Sequence, residues 1–338
     1  MFLLLPNNTI ASSEELSKTI EKTVQVNKDA VLKISNQFGK IDLINQDKNE
    51  VEIFVKITVE SSNIDKAQKK LDQIDVKING SMSLVDIKTV LEKSGSNFNG
   101  SFSIDYTIKA PATMNLNLHN EFGDVFIGEW AGPTTIDVQY GSLTVGKLLN
   151  ESNEVELQFS KASVGLINKG ELNLSYVDRF NLDKSKDLTL RSSFSKVDIE
   201  TLEHLDCHSE YDGIEIGEAN RIELRASFSA VKIGKLHLRG DLSNEYGAIK
   251  IASVSKGFEG LEIENSFASI KLTFEKGSQF NFECNAEFGD ISLPGEADVR
   301  IDKKDISEHY LKGKVGEGGD LPNLTIDVEY GSASIDID

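Results

Sequence analysis

The chain has 338 residues, with 36 Lys plus Arg against 55 Asp plus Glu and a formal net charge of −19. Its apolar share, roughly 47% once Gly is counted, is that of an ordinary globular chain, which excludes bulk disorder. The acidity and the lack of any clustered Lys and Arg run exclude nucleic acid as a partner, and no apolar run approaches the ~20 residues of a transmembrane span.

Residues 1–11 hold a short apolar stretch, Phe2-Leu3-Leu4-Leu5, and end in Ala11 before Ser12-Ser13-Glu14-Glu15. They read as the remnant of an export leader whose basic start would lie upstream, with a frayed terminus as the alternative. Further on, Val51, Ile53, Val55, Ile57 and Val59 alternate strictly, as do Phe102, Ile104, Tyr106 and Ile108, so both are expected strands. Between them Ile64, Ala67, Leu71 and Ile74 recur at helical spacing behind Ser62 or Asn63 as N-cap. Residues 12–115 are therefore expected to form strands and one helix, a small α+β cap over the open end of a repeat array. The Gly/Ser/Asn-rich segment 93–101 reads as a connector.

From residue 116 to 338 one short pattern dominates, and it has one earlier copy. It centres on an aromatic residue that appears twelve times: Phe38, Phe122, Tyr140, Phe159, Tyr176, Phe194, Tyr211, Phe228, Tyr246, Phe267, Phe288 and Tyr330. From Phe122 to Phe288 the copies are 17 to 21 residues apart. Four residues before each aromatic stands an aliphatic residue or Cys, as in Leu118, Ile136, Leu190 and Cys207, and two before stands a small, Asn or aliphatic residue. That is period-two strand alternation. Gly or Ser usually follows the aromatic, and apolar residues resume three and five positions on, as in Val125/Ile127 and Val231/Ile233.

The parity of the inward column changes across the aromatic, so a flat strand would send half of the apolar residues outward. A bend there removes the conflict, and Gly or Ser after the aromatic suits a corner that needs unusual φ/ψ. Each repeat is then two short strands around a corner and a return loop of about eight residues, too short for a crossover helix. Stacked repeats bury the inner columns as one core. The expected fold is all-β: a single-stranded β-helix (β-solenoid), expected right-handed although the spacing leaves the hand open, with a β-sandwich as the competing architecture. Residues 299–323 break the spacing and are expected to form a long loop before the last repeat at Tyr330.

Chemistry is sparse. The five His residues are scattered, and in the one close group, His204, Asp206, Cys207 and His208, the last two point to opposite faces of a strand, which places them poorly for one metal. Cys207 and Cys284 occupy one column four repeats apart, about 19 Å at ~4.8 Å per repeat, so two free buried thiols are expected. No nucleophile elbow, phosphate loop or dinucleotide fingerprint is present. The column before the aromatic carries Glu121, Gln139, Gln158, Glu210, Glu245, Glu287 and Glu329 among Ser residues, which suits a solvated face better than a paired acid and base. Carboxylates stacked in that way could also hold Ca²⁺, although no known Ca²⁺-loop motif accompanies them. No catalytic, cofactor or metal residues are therefore assigned, and the site residues put forward are the structural aromatic column itself.

Asn120-Glu-Phe-Gly-Asp-Val125, Asn244-Glu-Tyr-Gly-Ala-Ile249 and Ala286-Glu-Phe-Gly-Asp-Ile291 resemble the bacterial putative-adhesin family, as does Asp105-Tyr-Thr-Ile-Lys-Ala-Pro111. The likeness runs over roughly residues 30–338; the Phe159, Phe194, Phe228 and Phe267 copies depart from it with Ser or Ala after the aromatic. The resemblance implies a β-helical protein of the cell envelope or exterior and supplies no catalytic residues. The expected function is a non-catalytic, adhesin-like scaffold, exported to the periplasm, outer surface or medium. It would present a long acidic surface to a protein or glycan; the aromatic rings are expected to pack as core, with half-exposed rings that add a surface for sugars to stack on as the alternative. A polysaccharide-active enzyme on the same fold and a periplasmic regulatory binding protein are the alternatives.

Overall fold

The computed structural model describes residues 14–92 and 98–338. The expected leader at 1–11 and residues 93–97 of the connector lie outside the described residues. The fold is all-β: among the described residues 26 strands join into one hydrogen-bonded sheet, accompanied by a single helix, Ile64–Asp72.

Successive repeats pair in parallel and, apart from a one-residue bulge between Ala219 and Arg221 and a second bulge at Ile251/Val254, in register. Strand Asn115–Glu121 pairs with Thr134–Gln139, that with Asn153–Gln158, and the ladder continues through Lys161–Ser175, Arg179–Ser193, Lys196–Glu210, Gly213–Ser227 and Ala230–Glu245. Each repeat thus forms one layer, and like residues face like: Val197 opposes Ile214, Leu202 opposes Ala219 and Cys207 opposes Leu224. The inner columns merge into one continuous apolar core.

The expected return loop of about eight residues is corrected by five strands that run 15 or 16 residues without interruption, from Lys161 to Glu245. The inward residues explain how such a strand still turns. In Lys196–Glu210 they are Val197, Ile199, Leu202, Leu205, Cys207 and Ser209, which is a step of two along flat stretches and of three at two places. Each step of three swaps the parity that faces inward and bends the strand while its ladder bonds persist.

A further bend lies at the aromatic, and its unusual backbone sits elsewhere than expected. All twelve aromatics, not the Gly or Ser after them, hold positive φ, from 49° to 61°. This left-handed conformation costs an L-residue roughly 1–2 kcal/mol, so something at each corner must offset it. Glycine after the aromatic serves close approach instead: a Cβ on Gly141 would stand 2.0 Å from the carbonyl oxygen of Gly123 in the next layer.

At the N-terminal end, Glu50–Ser61 pairs antiparallel with Glu14–Gln25 and with Ser101–Ala110, and the last of these pairs in parallel with Ile41–Asn45. Leu84–Leu91 pairs antiparallel with Ile74–Gly80 and in parallel with Val31–Gln37. The helix starts where Asn63 accepts the Lys66 N–H at 3.0 Å and buries Ala67 and Leu71, with Asp65 and Lys69/Lys70 favourably placed on its dipole.

The C-terminal end departs from sequence order. Asn323–Glu329 lies between Gly260–Ser266 and Phe280–Glu287, parallel to both, so Ile326 opposes Ile263 on one side and Cys284 on the other. Ser332–Ile337 likewise lies between Ile270–Phe274 and Asp290–Ser292. The last repeat is inserted one layer inward, not added at the end. The loop expected over 299–323 is mostly strand: Ala297–Lys304 and Glu308–Val315 form an antiparallel hairpin laid against Phe280–Glu287. Cys207 and Cys284, both free and buried, are consequently five layers apart instead of four, about 24 Å at ~4.8 Å per layer.

Candidate binding surface

Positive φ at the corner swings each aromatic ring outward, where it meets the ring of the next layer. From Phe38 through Phe122 to Phe267, and on through Tyr330 to Phe288, neighbouring ring centroids are 4.6–5.1 Å apart with planes within 10° of parallel. The insertion of the last repeat restores an order that sequence hides: from Phe122 to Phe288 the stacked rings alternate Phe and Tyr without exception. Tyrosine hydroxyls therefore recur every second layer, about 10 Å apart. Rings in the column are about half exposed, which corrects their expected place in the core, but from Phe122 to Tyr330 both faces of each ring are covered by neighbouring rings. Along that stretch a sugar would meet ring edges instead of ring faces. Mutual stacking, worth about 0.5–1.5 kcal/mol per pair, offsets much of the backbone cost.

Inside the corner, two columns compensate each other. Asn36, Asn120 and Asn244, two residues before their aromatics, are followed by Gly after the aromatic; the Asn36 and Asn120 amides donate to the Gly39 carbonyl, and Asn244 donates to Gly247 and Ser229 at 2.8 Å each. Where the residue after the aromatic has a polar side chain, that side chain accepts an N–H from the neighbouring layer. Ser195 Oγ accepts from Val177, Asp212 Oδ1 from Ser195 and Ser229 Oγ from Asp212. Asp212 is buried, and its other oxygen accepts the Ser209 hydroxyl at 2.8 Å. Burial raises the Asp212 carboxyl above its ordinary value, and the hydrogen bonds oppose that rise.

On the outer face before the aromatics, Arg191, His208 and Arg225 stack in three adjacent layers along an open depression of about 660 Å³. Each has an acid beside it: Arg191 bonds Glu171, Arg225 bonds Glu223 at 2.8 Å, and His208 lies 3.8 Å from Asp206. These exposed pairs contribute little to stability and leave a polar, near-neutral strip. Cys207 points into the core while His208 is exposed, and burial pushes both thiols up, Cys284 to about 12. Among the described residues no three His, Cys, Asp or Glu side chains converge at metal-binding spacing. The Glu/Gln/Ser column is spread along the stack, with Glu287 and Glu329 adjacent at its far end.

Two groups escaped sequence reasoning. Lys304 and His309 both bond Asp290, at 2.8 and 2.6 Å, and the hydrogen bonds from Lys304 and then His309 hold its carboxyl down at about 2. The hairpin that brings them together could not be read from spacing. Lys232, Lys250 and Lys271, by contrast, sit four residues after their aromatics in consecutive layers. The fixed offset was a signal available in the sequence.

No protein-family model matches the chain, and a search of curated proteins finds no match. Among solved structures it is similar to a "putative adhesin" from Bacteroides fragilis, at 13% identity over 94% of this chain and 97% of that one, with a TM-score of 0.26. A "putative cell adhesion protein" from Clostridium sporogenes is 10% identical over 96% of this chain and 100% of that one, with a TM-score of 0.21. A "putative lipid binding protein" from Parabacteroides distasonis is 10% identical over 94% and 96%, with a TM-score of 0.23. Likeness at that level is no argument for a shared function.

Proposed function

We propose that the chain is a right-handed β-solenoid that acts as a non-catalytic, adhesin-like scaffold, exported from the cell and presenting its long acidic sides to a protein or glycan at the cell surface. In this reading residues 12–115 cap one end, and residues 116–338 form the repeats whose aromatic column locks each layer to the next. The observation that carries it is the parallel pairing of like residues from layer to layer, kept on both sides of the two bulges at Ala219/Arg221 and Ile251/Val254. Two-sided hydrogen bonding of each layer supports a stiff rod, and a stiff rod presents repeated surface groups without the ordering cost that a flexible chain would meet on binding. The net charge of −19 favours a basic partner and disfavours acidic ones.

The test combines fractionation of the source cell with binding of the purified chain to glycan and cell-surface protein panels, and with an assay for newly formed reducing ends. Retention on a panel by a chain found in the envelope or medium, with no polysaccharide shortened, is the expected result. A chain confined to the soluble cytoplasm that retains nothing, or one that cleaves a glycan, overturns the proposal.

A further inference from the structure

One side of the stack carries a charge pattern that is complementary to itself. Four residues after the aromatics, or five in the Tyr176 layer, one outward column runs through six consecutive layers as Asn181, Asp198, Glu215, Lys232, Lys250, Lys271. The first half is acidic, reinforced by exposed Asp183 and Glu200 two residues further along their strands, and the second half is basic. Lys232 pairs with Glu215 at 2.7 Å where the halves meet, whereas Lys250 and Lys271 have no ion-pair partner among the described residues. Stacking three ammonium groups in adjacent layers is unfavourable without a counter-charge. Asp198 shows the converse: one oxygen meets Arg179 at 3.1 Å and the other, buried, has no partner.

The relief of the surface is complementary as well. Around the lysines the flanking columns are small, Ala230, Ala248 and Ser269 on one side and Gly234, Ala252 and Thr273 on the other. Around Asn181 and Asp198 the flanks are long, Arg179 and Lys196 on one side and Asp183 and Glu200 on the other, while Glu215 at the junction is flanked by Gly213 and Gly217. A shallow depression of about 690 Å³ runs from Asn181 to Lys250 along the Asp183–Ala252 side.

From this we infer that the face binds a second copy of this chain, antiparallel, about a two-fold axis running along the strands between the Glu215 and Lys232 layers. That operation reverses layer order and leaves each column facing itself. Asp198 then faces the partner copy's counterpart of Lys250, Glu215 faces that of Lys232, and Asn181 with Asp183 faces that of Lys271. Long flanks fall on small ones. The interface is isologous, so every contact is made twice and no open filament results.

Six layers span about 29 Å, a small patch, so the dimer is weak and reversible. Both copies are acidic overall, but at ~0.15 M salt the Debye length is about 8 Å, which screens the distant repulsion while leaving contacts of a few ångströms.

Sedimentation velocity of the whole chain across concentration at physiological salt tests the inference. A reversible monomer–dimer equilibrium is expected, weakened at least about tenfold both in Lys250→Glu/Lys271→Glu and in Asp183→Lys/Glu200→Lys. All four positions are exposed, and far-UV circular dichroism confirms that each variant is folded. An equimolar mixture of the two variants restores a dimer that neither forms alone, because one arm keeps the native pairing and in the other the introduced glutamates meet the introduced lysines. A chain that stays monomeric, a dimer indifferent to both reversals, or a mixture that fails to recover overturns the inference. So does a monomer that instead retains an acidic polysaccharide through Lys250 and Lys271, which would make that polymer the occupant.

Discussion

The middle of the stack and its C-terminal end use the same residue pattern and close by different routes. Between Lys161 and Glu245 each layer touches the layers before and after it in sequence, so its ladder partners lie one repeat away. At the end, Ile326 sits between Ile263 and Cys284, with a hairpin intervening in the chain. A repeat therefore specifies that it will stack, and leaves open on which neighbour. What fixes the order at the end is occupancy of the last edge: Glu308–Val315 covers Phe280–Glu287 antiparallel, and so blocks further growth there.

Deletions of nearly equal length break this comparison most directly. Removing 323–338 takes away a layer that bonds on both sides and exposes the cores of the Phe267 and Phe288 layers. Removing 195–211 joins Phe194 to Asp212 and recreates the same ladder one layer shorter. Nearest-neighbour stacking then predicts that the terminal deletion costs more, with melting lowered at least about 10 °C further. Thermal circular dichroism checks it; equal losses would mean that the end gains nothing from the inserted layer.

Single core positions come next. Leu190 and Ile326 occupy the same column, and both are fully buried. Each change to Ala is expected to cost about 2–5 kcal/mol in the unit that contains it. Hydrogen exchange separates the two: Leu190→Ala loosens layers on both sides of the middle, while Ile326→Ala loosens only the layers around Phe267 and Phe288.

Most of the middle was legible because its signals are local. Apolar columns such as Ile136, Val155, Leu172 and Leu190 share one offset from an aromatic, and a β-ladder needs no more than that to set register. The two in-strand bends were missed because a step of three from Ile199 to Leu202 resembles an interrupted strand unless the next layer repeats it. The inserted end was missed because Asn323–Glu329 carries the same residues as any other copy. One sequence clue did exist: Phe267 and Phe288 are consecutive copies with no Tyr between them, where every preceding pair from Phe122 onward alternates. At the binding surface the aromatic column was legible, but its covered faces were not, since outward φ and ring overlap are properties of the stacked layers.

The buried Asp212 is peculiar to the middle and gives that region a pH signature. A carboxyl raised in the fold relative to the unfolded chain is neutral at low pH, where its contribution to stability is complete. That contribution is lost as pH rises through the unfolded and then the raised folded value. Asp212→Asn keeps an acceptor for the Ser195 N–H and a donor toward Ser209, so it removes this dependence at little cost. Asp212→Ala leaves the buried Ser195 N–H without a partner, while Ser209 keeps Ser229, and is expected to cost about 1–3 kcal/mol. Urea midpoints measured from pH 4 to 8 distinguish the variants; a slope unchanged in Asp212→Asn would refute the assignment.

The smallest expected effect concerns the corner itself and again divides middle from end. Phe228 has φ 50° and rings on both sides at 4.7 Å, those of Tyr211 and Tyr246, while Phe288 ends the column and stacks on Tyr330 alone. Phe228→Ala loses two ring contacts and keeps the left-handed backbone cost. Phe228→Gly loses the same contacts but relieves that cost, so it should be the more stable of the two by about 1 kcal/mol. At Phe288 the Gly–Ala difference should be the same, because the φ of 51° is the same, but the loss relative to Phe should be smaller by about one ring pair, 0.5–1.5 kcal/mol. Denaturation midpoints of the four variants separate backbone strain from ring stacking. If Ala equals Gly at both positions, the left-handed corner carries no strain, and the rings are held for their surface instead of for the turn.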